Sequence, residues 1–374
     1  AYFSPSARTH RLLLNKGGTF VESSAAYAPD FAANPSMARL GLLADFDGDG
    51  WEDLIVVNTN DVTLGGSPAQ QLQFYRNLGR NAANQWLGFV YDTAGRFPQY
   101  NAPFARFCGG ANADFDLDGD QDLYLGDYNN SLEDRLLIND GTGVFTDMTT
   151  TRIPGGTSSG FTVEVQVGDF NGDGWPDIAR SDPGSVMVRV NNGAGSFLST
   201  VSPPAPATYT LAVGDLNNDG LADIYQGRDG QDGYDINTTT TVGGTPTFSS
   251  FTLANSPGTT GFAGNATIVD MDGDGFKDVV MGDIDVDVPG CDRHATLLRN
   301  TPGAPFILSD PWGAALPCGT GCKPWHTNGT HDIAPIDVNG DGLLDMVYAK
   351  CVGYACWIRQ LPPMTLAVTE PLPA

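Results

Sequence analysis

Asp45-Phe-Asp47-Gly-Asp49-Gly-Trp51-Glu-Asp53 decides how this chain is read, because the chain repeats it. Further copies begin at Asp114, Asp169, Asp215, Asp270 and Asp337, each close to D-x-[DN]-x-[DN]-G-x-x-D, and an aliphatic residue or Met follows each one. Oxygen donors at positions 1, 3, 5 and 9 suit a hard cation such as Ca²⁺. A unit that recurs this regularly also predicts an array of similar structural repeats stacked into one body.

The donors can be named copy by copy. The first copy offers the side chains of Asp45, Asp47, Asp49 and Asp53, with the carbonyl of Trp51 at position 7. The second offers Asp114, Asp116, Asp118 and Asp122, with the carbonyl of Asp120. In the third they are Asp169, Asn171, Asp173 and Asp177, with Trp175. The fourth supplies Asp215, Asn217, Asp219 and Asp223, with Leu221. The fifth has Asp270, Asp272, Asp274 and Asp278, with Phe276. The sixth has Asp337, Asn339, Asp341 and Asp345, with Leu343. Asn at position 3 lowers the charge of three loops and predicts weaker binding there. Gly at position 6 permits the sharp turn. Position 2 is apolar throughout (Phe46, Phe115, Phe170, Leu216, Met271, Val338), which predicts that it points into the core.

An EF-hand is excluded. That motif needs Glu at position 12, where this chain has Val56, Leu125, Arg180, Gln226, Met281 and Tyr348. Acidic β-turns without a metal are the bland alternative, since Asp and Gly favour turns. An Asp at position 9 in all six copies argues for ions, about six per chain and structural in role.

The chain has 374 residues, a net charge of −25 and a pI near 4.1, which argues against a nucleic-acid phosphate partner. The side-chain donor positions hold 21 of the 44 acidic residues, and six bound Ca²⁺ would bring the net charge to −13. Six cysteines (Cys108, Cys291, Cys318, Cys322, Cys351 and Cys356) point with calcium to an oxidising location and to disulfides, among 15 possible pairings. No apolar run approaches the ~18 residues of a membrane-spanning helix. The start at Ala1, without Met, basic segment or apolar leader, predicts a mature exported protein, secreted, extracellular or at the cell surface, or periplasmic in a bacterium.

Between the loops the chain reads as short strands. Thr162-Val-Glu-Val-Gln-Val167 alternates like a half-buried strand, and Ile178-Ala179 follows the third loop. Pro183-Gly184 turns the chain, Val186, Val188 and Val190 alternate, Asn191-Asn-Gly-Ala-Gly195 makes a hairpin, and Phe197 opens a fourth strand. The hairpin recurs at 12–20 and 136–145, and more loosely at 74–77 and 297–300. Four antiparallel strands per repeat are one propeller blade. The expectation is an all-β protein, a single β-propeller domain over 1–374. Seven blades are favoured, with the N-terminal hairpin at 11–23 helping to close the ring; six blades plus that hairpin is the alternative. Residues 59–70, 80–104 and 309–331 read as insertions.

These motifs resemble the FG-GAP/VCBS repeat family, whose strand, acidic loop and L-x-x-N-x-G-x-G-x-F hairpin are matched by Asp169–Ile178 followed by Val190–Phe197. The resemblance spans roughly residues 11–360. It implies a calcium-bearing propeller like that of integrin α-subunits and some fungal lectins. Relatives of this kind include adhesion proteins, lectins and a few polysaccharide-acting enzymes, so the resemblance names no ligand.

Other features carry less. Cys318, Cys322, His326 and His331 are spaced too tightly for a zinc finger and read as a disulfide-pinned loop. Trp312, Trp325 and His326 form a candidate ligand patch, since exposed aromatics stack on sugar rings; ordinary packing competes with that reading. Asn129, Asn237, Asn265 and Asn328 lie in N-x-[ST] sequons. No nucleophile elbow or zinc-protease motif is present; a lyase would need a base, for which Arg293-His294 and His326 are candidates that nothing in the sequence singles out. The resulting expectation is a non-enzymatic recognition module for an extracellular glycan. A protein-binding adhesion scaffold and a polysaccharide-acting enzyme such as a lyase are the alternatives.

Overall fold

The computed structural model describes residues 9–59, 72–100, 106–128, 133–156, 161–182, 184–204, 208–228, 230–253, 263–283, 296–301, 307–309, 330–350, 356–361 and 365–371. A hairpin comes first, β1 (Leu13–Asn15) and β2 (Phe20–Glu22), followed by two single-turn helices, α1 (Ser24–Tyr27) and α2 (Asp30–Ala33). Four-stranded antiparallel sheets then succeed one another along the chain.

The first sheet is β3 (Ala38–Ala44), β4 (Asp53–Asn58), β5 (Leu72–Asn77) and β6 (Phe89–Tyr91). The second is β7 (Phe107–Ala113), β8 (Asp122–Asp127), β9 (Arg135–Asn139) and β10 (Phe145–Asp147), with the short helix α3 (Thr149–Arg152) after it. The third is β11 (Glu164–Gly168), β12 (Asp177–Asp182), β13 (Ser185–Asn191) and β14 (Phe197–Val201). The fourth is β15 (Thr208–Gly214), β16 (Asp223–Arg228), β17 (Gly233–Asn237) and β18 (Phe248–Thr252). The fifth is β19 (Ala263–Val269), β20 (Asp278–Asp283), β21 (Thr296–Thr301) and β22 (Ile307–Ser309). The last is β23 (Thr330–Ile336), β24 (Asp345–Lys350), β25 (Cys356–Leu361) and β26 (Thr365–Pro371).

In each sheet the strands pair in chain order, and the first strands pack one against the next from β3 through β7, β11, β15 and β19 to β23. This is a β-propeller whose first strands are innermost. Each acidic loop joins the first strand of a blade to the second, so all the loops lie at one end of the molecule.

The seven-blade count is corrected. Among the described residues β1 and β2 form a sheet of two strands, and the last sheet is built from its own four strands without borrowing from the N-terminus. The hairpin has the sequence of a blade's outer half, and it sits where such a half belongs. Leu13 and Phe20 pack on Val338 of the last acidic loop, while Leu12 packs against Phe31, Val56 and Tyr75 of the first-blade region. Residues 80–104 include β6, so this stretch supplies a blade's outer strand as well as connecting chain. Residues 60–71 and 310–329 lie outside the described set.

Among the described residues no inner pair of strands accompanies the hairpin, and this leaves a mark. Val213 and Ile268, two residues before their loops, cover the last residue of the preceding innermost strand so closely that a Cβ on Gly168 or Gly214 would come within 2.7 Å of them. Leu43 and Ile336 occupy the corresponding positions on the two sides of the hairpin. Among the described residues they face no inner strand there, and they are 57 % and 53 % exposed.

Position 2 of every loop points inward as expected: Phe46, Phe115, Phe170 and Leu216 are fully buried, and Met271 and Val338 nearly so. Burying each such side chain contributes roughly 1.5–3 kcal/mol and ties the loop to the interior of its blade.

Candidate metal centres

Each acidic loop is held by its own carboxylates. The first Asp receives backbone N–H bonds from across the turn: Asp49 N donates to Asp45 Oδ1 at 3.1 Å and Gly50 N to Oδ2 at 2.8 Å. The bond from the sixth residue recurs at 2.8–2.9 Å in the other five loops. The fifth Asp accepts from the seventh N–H, as in Trp51 N to Asp49 Oδ1 at 2.9 Å.

The ninth Asp is the structural pin. Asp53, Asp122, Asp177, Asp223, Asp278 and Asp345 are all fully buried. One carboxylate oxygen of each accepts the N–H of position 2, at 3.0 Å from Phe115 to Asp122 and 2.7 Å from Leu216 to Asp223. In five loops the other oxygen accepts the N–H of the Asn ending the third strand: Asn77, Asn139, Asn191, Asn237 and Asn300, at 2.7–2.8 Å. Burial raises the carboxyls of Asp53, Asp122, Asp177 and Asp223 to about 7, and that of Asp278 to about 6, while the backbone donors pull them down.

Those same Asn residues staple the blades together. Asn139 Nδ2 donates to Phe46 O of the preceding loop at 2.8 Å, Asn191 to Phe115 O at 2.8 Å, Asn237 to Phe170 O at 2.8 Å and Asn300 to Leu216 O at 2.7 Å. Asn15 of the N-terminal hairpin donates in the same way to Val338 O of the last loop. Sequence reasoning saw these Asn only as turn residues; the signal was their recurrence at the end of a short apolar strand in every hairpin.

The donor sets differ in how well they suit a divalent cation. Carboxylate oxygens of Asp45, Asp47 and Asp53 lie within 4.8 Å of one another, as do those of Asp114, Asp116 and Asp122, and of Asp270, Asp272 and Asp278. Asp47 Oδ1 and Asp116 Oδ1 are buried without a hydrogen-bond partner. An anionic oxygen left that way is costly unless a cation completes it, so the first two loops fit Ca²⁺. Bound there, the ion would neutralise charge and cross-link the turn. In the third and fourth loops the Asn side chain bridges instead: Asn171 Nδ2 donates to Asp173 Oδ2, and Asn217 Nδ2 to Asp219 Oδ2, both at 3.0 Å. In the fifth loop an arginine, Arg299, contacts Asp272 and Asp274.

The remaining sequence candidates separate by position. Trp312, Trp325 and His326 lie outside the described residues, as do Arg293, His294, Cys291, Cys318, Cys322 and Cys351. His331 falls in β23, and Cys356 opens β25. Cys108 is a free, buried thiol, so pairing of all six cysteines does not occur. A shift of strand register between Phe107 and Gly109 and another between Ala38 and Leu40 flank Cys108 and Arg39, whose Nε donates to the Cys108 sulfur at 3.2 Å. Burial raises this thiol above its ordinary range, which makes it a packing residue rather than a nucleophile. The sequon residue Asn237 is buried and spent on the inter-blade staple. Among the described residues no helix is long and apolar enough to cross a membrane.

Blades of four antiparallel strands, each with an acidic loop between its first two strands, define a repeat-built β-propeller. The repeats are FG-GAP-like: that family matches residues 114–180 and 169–225, which span the second, third and fourth loops. Among solved structures the chain is similar to a lectin of Agrocybe aegerita, described as specifically recognising non-reducing terminal N-acetylglucosamine. The two share a TM-score of 0.55 and 16 % identity over 97 % of this chain and 87 % of the other. At that identity the likeness is one of fold. No curated protein matches the chain.

Proposed function

We propose that this protein is an exported, calcium-stabilised propeller that recognises glycans without altering them chemically. The observation that carries this reading is the extent of the fold likeness: nearly the whole chain follows the architecture of a propeller whose described role is sugar recognition. Calcium has a physical place in the reading, because the acidic loops pin the blade turns and two of them contain buried carboxylate oxygens without a hydrogen-bond partner. An extracellular or periplasmic location follows the same logic, since a millimolar supply of Ca²⁺ fills loops of modest affinity.

A glycan array probed with purified protein, in calcium and after EDTA treatment, tests the proposal. Saturable binding to defined sugars is expected, weakened by EDTA through loss of fold. No binding in calcium, with a specific protein captured from an extracellular extract, assigns the propeller to adhesion instead. New reducing ends or unsaturated sugar products appearing with time would make it an enzyme.

A further inference from the structure

The three loops with Asp at position 3 look alike in sequence and differ in what meets that Asp. Asp47 Oδ1 has no hydrogen-bond partner. Asp116 Oδ1 is in the same state, while Arg152 takes its other oxygen at 2.8 Å and leaves the first available. Asp272 has neither oxygen spare. Its Oδ1 accepts Asp274 N at 3.2 Å, and its Oδ2 receives Arg299 Nε at 2.6 Å together with Arg299 Nη2. Nη2 also lies 3.4 Å from Asp274 Oδ2. A guanidinium therefore sits on two of the carboxylates that an ion would need.

Arg299 occupies the residue just before the stapling Asn of β21. The same position holds Leu14, Ile138, Val190 and Ile236 in other hairpins, none of which carries charge. In the first blade it holds Arg76, but Asp92 engages that side chain at 3.5 Å. Arg299 thus differs from the apolar counterparts in charge and from Arg76 in its ion-pair partner. Its side chain is 44 % exposed, whereas that of Asp272 is 6 % exposed. The guanidinium approaches from solvent and can return to it when a cation takes its place on Asp272, because its own charge is then rehydrated and the buried carboxylate stays paired.

We propose that Arg299 is a built-in competitor for the fifth loop: a calcium ion binds there only by displacing the guanidinium, which places this loop below the first two in affinity. The inference rests on reading the loops as calcium sites. Arg152 holds a single oxygen of Asp116, whereas Arg299 engages Asp272 Oδ2 and reaches Asp274 Oδ2 as well, so the arginine and the ion compete for the same oxygens and repel each other at contact distance. Metal-free, the fifth loop keeps a guanidinium in contact with its position-3 carboxylate, where Asp47 Oδ1 of the first loop has no hydrogen-bond partner, so its geometry depends less on calcium.

Calorimetric calcium titration of EDTA-stripped protein tests this, comparing the native chain with Arg299→Met and Arg299→Lys, with circular-dichroism melts to confirm that each variant is folded. Arg299→Met keeps the apolar stem and removes the charge, and one site is expected to tighten by about tenfold or more. Arg299→Lys, with a compact charge on a mobile stem, should fall between the two. Superimposable isotherms for the native chain and Arg299→Met, with calcium bound by both, overturn the inference alone. Absence of calcium uptake by all three proteins defeats the reading of the loops on which it rests, and the inference with it.

Discussion

The ninth residue of each loop joins parts of the chain that are far apart in sequence. Asp122 takes one N–H from Phe115, seven residues back, and another from Asn139, seventeen residues on. Replacing it with Ala removes both acceptors and strands two buried donors, at about 1–3 kcal/mol each. Asp122→Ala is therefore expected to lower the unfolding free energy by ~2–5 kcal/mol in urea denaturation, even with metal absent. A loss under ~1 kcal/mol would show that the carboxylate serves only the ion. The pH dependence has a definite sign. Burial holds Asp53, Asp122, Asp177 and Asp223 at about 7 in the folded chain, above the unfolded carboxylate value of 3.8. The metal-free folded state thus binds protons that the unfolded chain releases. The penalty is full above pH ~7 and is relieved as the pH falls toward the unfolded value. Calcium needs the ionised form, so its affinity falls through the same window. EDTA-treated protein should melt higher at about pH 5.5 than at about pH 8, and added calcium should raise the melting temperature less at the lower pH. Equal calcium effects at both values would contradict the assignment of these carboxylates.

A blade hairpin is more than a turn, because its Asn works in three directions. Asn191 Oδ1 accepts from Gly193 N at 3.2 Å and Gly195 N at 3.1 Å, and Nδ2 reaches Phe115 O and Pro176 O. Gly195 is required twice over. Its φ is +68°, and a Cβ there would lie 2.6 Å from Asp116 Cβ of the neighbouring loop. Asn191→Ala should cost ~2–4 kcal/mol by leaving buried backbone groups unpaired, and Asn191→Asp should not rescue it, since a carboxylate cannot donate. Urea titration of the two variants beside the native chain measures this, and a neutral result would remove the staple from the account. The elements themselves were legible in sequence: the alternation in 162–167 and 186–190 and the Gly-rich hairpins all form strands and turns where expected. The staple was not. It links Asn191 to a residue 76 positions away, and the sequence does not say which loop of the ring a hairpin will face. Arg299 was hidden for the same reason, because its pairing with Asp272 is a matter of side-chain direction.

At the scale of the ring, repeat spacing revealed the architecture but misjudged the closure. The segment 12–20 has a whole hairpin signature, which predicts a seventh, closing blade built from both chain ends, yet a blade also needs an inner pair of strands to bury the residues beside it. Leu43 and Ile336 are exposed beside that hairpin, and among the described residues no inner pair covers them. A ring closed partly by two outer strands depends on the fit between the hairpin and the last acidic loop, where Asn15 and Leu13 meet Val338. That makes the loops matter beyond their own blades. The chain carries a net charge of −25, with 21 acidic groups at the donor positions of six loops at one end. Removing calcium restores repulsion among carboxylates a few ångströms apart, loosening the turns that the stapling Asn residues grip. Calcium present at about a hundred times its dissociation constant stabilises by ~2.7 kcal/mol per site. With two well-fitted loops, EDTA is expected to lower the melting temperature by about 7 °C. Sodium chloride at ~0.5 M should restore part of that loss by screening the repulsion, and should do little to the calcium-loaded protein. An unchanged melt after verified metal removal would mean that the acidic loops hold the propeller through their hydrogen bonds alone.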